Sequence, residues 1–201
     1  MTLVGFKRAK IQVYDKDWKP VETPFVVQGD PDKGATTEAS ISGLSKEPVT
    51  VPGSNVNYYI SRKGTGSIKI DFGLLDLPND VSNALLGYKK GETSGITYVG
   101  EETEAPYCGV LLESENLQGE KVLFGFYKGI FSRDKVDLKT TDPTETTKPE
   151  ADSWTFTAAA STQAGEINGN TVGIYIGSDT KAIAQMEHDV LGTALPSGSE
   201  A

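Results

Sequence analysis

Residues 121–131 read Lys-Val-Leu-Phe-Gly-Phe-Tyr-Lys-Gly-Ile-Phe. Phe124, Phe126, Tyr127 and Phe131 make this run the aromatic centre of the chain, and it reads as a long strand. Immediately upstream, Glu115-Asn116-Leu117-Gln118-Gly119-Glu120 reads as a hairpin loop, which makes Tyr107–Glu113 the partner strand. Downstream, Ser132–Asp152 is polar, holds Pro143 and Pro149, and reads as a long mobile loop. A third strand follows over Ser153–Gln163, with Trp154 and Phe156 on one face and Ser153, Thr155 and Thr157 on the other. Asn168-Gly169 fits a type I′ turn, from which Thr171–Ile176 is expected to return.

Toward the N-terminus the pattern stays β. Residues 9–14 alternate polar and apolar after Arg8. Val21–Gln28 can form a returning strand. Pro24 argues against a central position for it, because proline lacks the ladder donor. Asp30-Pro31-Asp32-Lys33-Gly34 is a turn. Residues 29–64 are the least regular stretch, punctuated by glycine and proline. A structureless loop of that length is uncommon, so it either carries short strands or is an arm that orders on a neighbour. Ser67–Phe72 alternates, with Ile68, Ile70 and Phe72 on one side and Ser67, Lys69 and Asp71 on the other.

Two helices interrupt the strands. Leu77, Val81, Ala84 and Leu85 share one face at helical spacing, with Pro78 in the first turn and Gly87 as the terminating residue. Thr180–Leu191 has Ser178 or Asp179 to cap it, Ile183, Met186, Val190 and Leu191 as its apolar face, and Gly192 to end it. The expected fold is therefore mainly β with one or two short helices. One domain over residues 1–192 and a flexible tail over 193–201 account for the chain.

Composition narrows the function. The chain has 201 residues, with 28 Asp and Glu against 19 Lys and Arg, and a net charge of −9. An acidic chain is poorly suited to gripping nucleic-acid phosphates. No apolar run approaches the roughly 20 residues that cross a bilayer, and the basic start (Lys7, Arg8, Lys10) lacks the apolar core of a signal peptide. One cysteine, Cys108, and one histidine, His188, leave no internal disulfide and little material for triads or zinc sites. No catalytic residue, cofactor or metal is expected.

The local signals for chemistry are weak. Glu187-His188-Asp189 are consecutive in a helix, so they point about 100° apart and cannot converge on one ion. Cys108 lies in a predicted strand near Glu101, Glu102 and Glu104, which suits a structural thiol rather than a reactive one. Gly64-Thr65-Gly66 lacks the third glycine and the helix of a nucleotide fingerprint. Asp30, Asp32 and Glu38 miss the spacing of a calcium loop.

The order of elements carries more. A basic strand, Val4-Gly5-Phe6-Lys7, precedes the irregular 29–64 segment and the Ser67–Phe72 strand. Then come Leu77-Pro78-Asn79-Asp80-Val81 running into Leu85-Leu86-Gly87, Ala105-Pro106-Tyr107-Cys108-Gly109-Val110, and Phe126-Tyr127-Lys128-Gly129-Ile130-Phe131. This ordered set resembles the major tail protein, or tail tube subunit, of long-tailed, non-contractile bacteriophages of Gram-positive hosts, over roughly residues 1–192.

The resemblance implies a β-sandwich or partly rolled barrel with a helix. It also implies a structural virion protein, made in the host cytoplasm, whose copies form hexameric rings that stack into a tail tube. Implied partners are other copies of the chain, a tape-measure protein, a tail-tip or baseplate hub and a tail terminator. Double-stranded DNA would pass through the lumen without specific binding, and no membrane is involved.

Physical reasoning adds residues to that picture. Six copies at −9 each would offer DNA a wall that does not hold it. Ser67, Lys69, Asp71, Thr155 and Thr157 are the candidate lumen-facing side chains. Lys46, Val49, Val51, Tyr58 and Tyr59 are the candidate inter-subunit arm. The competing reading is a carbohydrate- or receptor-binding β-sandwich, with Trp18, Trp154, Tyr58 and Tyr59 as an aromatic platform.

Overall fold

The computed structural model describes residues 2–61, 63–140 and 148–195. Twelve strands and two helices follow one another along them. In chain order they are β1 (Leu3–Val13), β2 (Phe25–Val27), β3 (Ala35–Ser42), β4 (Thr50–Gly53), β5 (Val56–Ile60) and β6 (Lys69–Leu75). Next come α1 (Asn79–Leu86), β7 (Lys89–Lys90), β8 (Thr97–Tyr98), β9 (Cys108–Asn116) and β10 (Lys121–Ser132). The last three are β11 (Asp152–Ala159), β12 (Val172–Ile176) and α2 (Thr180–Leu191).

Eight strands join in one antiparallel sheet, ordered β2-β1-β9-β10-β11-β6-β3, with β12 attached to β10. The basic N-terminal strand and the 9–14 strand are one element, β1, kinked by register shifts on either side of Phe6. Strand β2 holds the edge position that Pro24 suggests, pairing only Ala9–Ile11 of β1.

The sheet is rolled. Strands β1 and β3 stand five ladder steps apart, which in a flat sheet is about 24 Å, yet they lie in contact. Ala9 and Ile11, Ile70 and Phe72, Val110 and Leu112, Phe124 and Phe126, and Trp154 and Phe156 all point into one shared core. At its centre Phe131 lies 5.0 Å from Phe156, 5.9 Å from Phe72 and 6.5 Å from Trp154, ring centroid to ring centroid. Helix α1 adds Leu85 and Leu86 to this core and ends at Gly87, whose φ of 69° is a left-handed cap. Among the described residues the ladder does not close. Of the two architectures the resemblance implies, the partly rolled barrel is the one present.

Strand β10 is buried on both faces, which is why its sequence is nearly continuously apolar. Val122, Phe124 and Phe126 face the barrel interior. Leu123 and Tyr127 face outward and are covered by α2 through Met186, Val190 and Leu191. A register shift between Phe126 and Gly129 divides the strand. Ahead of it β10 pairs β12, and beyond it β11. The hairpin expected across Asn168-Gly169 is therefore not formed between β11 and β12. Strand β12 crosses to the first half of β10, where its Gly173 lets the Tyr127 ring approach the backbone.

Candidate functional site

Helix α2 covers only part of the barrel's outside. Among the described residues, the outer face of β3, β6 and β11 carries no helix, and its side chains are polar because they meet water. Asp71 stands opposite Thr155 in the ladder and Lys69 opposite Thr157. Thr155 Oγ1 donates to Asp71 Oδ1 at 2.9 Å. On the other side of β6, Ser40 stands opposite Asp71 and Ser42 opposite Lys69, and Ser42 Oγ donates to the Lys69 carbonyl at 3.4 Å. The fold thus gathers Lys69, Asp71, Thr155 and Thr157 into one hydrophilic band. Ser67 is exposed just ahead of β6. The alternation that marks these residues in the sequence is what places them together.

Residues 29–64 resolve into two parts. Ala35–Ser42 is β3, the sheet's outermost strand on the β6 side. Thr50–Gly53 and Val56–Ile60 are a separate antiparallel hairpin, with Val51 opposite Tyr59 and Gly53 opposite Val56. Ser54 and Asn55 form its two-residue turn at φ of 50° and 64°. Both are left-handed, as a type I′ turn requires. Val49 and Ser61 close the stem, the Ser61 amide donating to the Val49 carbonyl at 3.0 Å.

This hairpin is apolar and faces solvent. Tyr58 is 83% exposed, and Val49, Val51, Val56, Tyr59 and Ile60 are exposed too. Successive strand residues face opposite sides, so both faces of the hairpin are affected. A two-stranded hairpin alone is marginally stable in water, and among the described residues this one leaves its apolar side chains uncovered. Lys46 is exposed in the segment leading into it.

Free ladder edges add to the surface. Beyond β2's three-residue reach, Leu3–Arg8 of β1 has a partner among the described residues on the β9 side only. Strands β3 and β12 each pair on one side among the described residues. Open edges of this kind are templates for further strand pairing.

The remaining signals fall into structural roles. Glu187 pairs with Lys10 at 2.6 Å, His188 Nδ1 donates to the Thr193 carbonyl at 2.6 Å, and Asp189 accepts from Gln185 at 2.7 Å. Three neighbours serve three different partners. Cys108 is fully buried, and burial pushes its thiol up to about 12. Asp30 lies in a turn whose Lys33 amide donates to the Asp30 carbonyl at 3.1 Å.

The four aromatics of the competing platform are not brought together. Trp154 is 1% exposed inside the barrel, and Trp18 stacks on Tyr14 with centroids 4.6 Å apart. Tyr58 and Tyr59 face opposite sides of the hairpin. Sequence reading overlooked the Lys89–Tyr98 hairpin, which exposes Ile96, Tyr98 and Val99 beside α1. The alternating Ile96 and Tyr98 was the available signal. In the Ser132–Asp152 loop and the C-terminal tail, residues 141–147 and 196–201 lie outside the described residues.

No helix among the described residues is long and apolar enough to cross a membrane. No curated protein matches the chain. Residues 1–195 match the family model described as phage tail tube protein, and on that match, with a mainly β, partly rolled barrel beneath it, the chain belongs to the phage tail tube protein family.

Proposed function

We propose that the chain is the major tail protein of a long-tailed, non-contractile phage of a Gram-positive host. Its copies close into hexameric rings, and the rings stack into the tube through which phage DNA is delivered. The observation that carries this reading is the β4–β5 hairpin. It is an apolar arm whose side chains stay exposed among the described residues, which is what a subunit needs to reach another copy.

Free edges on β1, β3 and β12 supply the second kind of contact. Head-to-tail joining of unlike edges gives a ring when the rotation closes, and a closed ring removes the edges. The hydrophilic band of Ser67, Lys69, Asp71, Thr155 and Thr157 is the lumen wall in this reading. It presents small hydroxyls and one charge of each sign, so DNA slides past without exchanging many counterions. The tape-measure protein occupies the lumen before DNA does, and the tail-tip hub and terminator close the two ends. The role is structural, not enzymatic, and one domain over residues 1–192 carries it.

Negative-stain microscopy of the concentrated protein, with and without an initiating tail tip, tests this. Rings or hollow tubes of uniform width are expected. A protein that remains solitary under both conditions would overturn the proposal.

A further inference from the structure

A groove opens between the Asp15–Lys19 turn, the 103–107 segment and the β10–β11 ladder. Trp18 forms one wall. It stacks on Tyr14 with planes 6° apart, and its centroid lies 5.9 Å from that of Tyr107. Lys128 Nζ stands between the walls, 4.3 Å from the Tyr107 centroid and 5.3 Å from that of Trp18. Trp18 holds a φ of 62°, a left-handed backbone that a bulky residue rarely adopts. Its indole N–H is buried with no acceptor among the described residues. Val21, Tyr107 and Ile130 leave the groove's apolar lining open to solvent.

We propose that this groove receives the β4–β5 hairpin of a second copy of the chain. The inference deepens the tube reading and rests on it. Two unsatisfied apolar surfaces of the same molecule, one convex and one concave, form a heterologous joint in which every copy donates one hairpin and receives another. Charge supports the match. Around the hairpin the exposed Lys46 and Lys63 stand against the single Glu47. The groove is bordered by Asp15, Asp17 and Glu104 against Lys16, and its Lys128 is already engaged with the rings, so its border is acidic on balance. Opposite potentials on two docking surfaces fix orientation and speed encounter. The Tyr58 ring, 83% exposed, is the kind of anchor that fills an apolar recess.

The test uses two full-length variants that are altered only at exposed positions, with melting curves confirming that each is folded. Tyr58→Glu with Tyr59→Glu spoils the hairpin and keeps the groove. Val21→Lys with Ile130→Lys spoils the groove and keeps the hairpin. Sedimentation velocity is run on the native chain, on each variant and on their 1:1 mixture. Tryptophan emission is followed in parallel, and it reports the groove because Trp154 is buried.

Each variant alone should associate at least about tenfold more weakly than the native chain, the loss expected for a disrupted anchor. The mixture should form a heavier species than either variant forms alone, with a shift in Trp18 emission. That species should stop growing, since only one of the two directions of docking remains. A mixture that sediments as its separate parts overturns the docking proposal, as does a groove variant that assembles like the native chain. If the native chain still makes tubes in that case, the tube reading survives and only the groove assignment falls. If neither the native chain nor the mixture associates, both fall.

Discussion

The Glu113 carboxylate accepts a hydrogen bond from Arg8 Nε at 2.6 Å, tying β9 to β1 at the point where β1 is kinked. Lys121 on β10 and Lys7 on β1 approach its other oxygen at 3.4 Å and 3.7 Å. Burial is the strongest influence on this carboxyl and pushes its pKa up. Arg8 and Lys121 together outweigh burial, and the group stays below the usual carboxylate range. A carboxylate in this position is ionised at neutral pH and holds three strands together.

Glu113→Gln should therefore destabilise the protein in a pH-dependent way. The folded pKa is depressed, so the carboxylate's contribution is complete above its unfolded pKa and is lost as pH falls through the folded one. Removing it leaves Arg8 without its counterion, at a cost of about 2 kcal/mol. Solvent reaching the cations keeps the figure below that of a fully buried pair. Denaturant unfolding of both proteins between pH 2 and pH 7 checks this. The two should differ at neutral pH and converge in acid, and an offset that stays constant with pH would refute the ion-pair account.

Trp154→Ala and Tyr58→Ala should separate folding from assembly. Trp154 fills the barrel against Phe131 and stacks beneath Arg133 at 5.3 Å. Truncating it should cost about 3–5 kcal/mol, which for a chain of this size lowers Tm by roughly 10 °C. Tyr58 touches solvent, so its truncation should leave the melt unchanged and reduce only assembly. Thermal melts paired with sedimentation decide the matter. A silent Trp154→Ala would mean that the inward face of β11 is wrongly assigned.

Most of the fold is legible in the sequence because each element carries its own periodicity. Ile68, Ile70 and Phe72 alternate with polar residues; Ile70 and Phe72 point inward from β6, and Ile68 is buried just ahead of it. Asp179 accepts from the Lys181 amide at 2.9 Å as the helix cap that its position suggests, and Gly192 ends α2 at a φ of 64°. What pattern cannot supply is pairing. Thr171–Ile176 reads as a strand, but its choice of β10 over β11 depends on the ladder being broken between Phe126 and Gly129. Residues 35–42 escape notice because edge strand β3 alternates small polar residues with alanine and isoleucine, so the apolar signal is thin. The hairpin turn at Ser54-Asn55 lacks the glycine that usually announces a type I′ turn. The band of candidate lumen residues is legible as alternation on two strands, whereas its continuity depends on the register that sets Asp71 beside Thr155.

Cys108 should behave as an inert thiol. Its side chain is fully buried and its pKa stands at about 12, so at pH 8 the thiolate that alkylating reagents require is almost absent. Iodoacetamide should fail to label the folded protein over hours and should label it promptly in denaturant, with the mass of the intact chain as the readout. Labelling of the folded protein within minutes would mean that the β9–β10 ladder opens locally without global unfolding.

The hairpin should be removable without unfolding the barrel, because the chain enters and leaves it at one place. Strand β3 ends at Ser42, β6 begins at Lys69, and the two are antiparallel neighbours. The Gly66 amide donates to the Gly43 carbonyl at 2.9 Å. Gly43, at a φ of 77°, packs its α-carbon so closely on the Ser67 carbonyl that no side chain would fit. Deleting residues 46–63 therefore leaves Leu44, Ser45, Gly64 and Thr65 to bridge two glycines already in contact, a four-residue hairpin loop of ordinary length. The shortened protein should melt within a few degrees of the native chain, since the excised side chains contribute little buried area. It should also remain monomeric in microscopy and sedimentation at concentrations where the native chain assembles. Tubes of normal appearance from the deletion would exclude the hairpin as an assembly arm. A chain that no longer folds would show instead that the hairpin stabilises the β3–β6 ladder from within its own subunit.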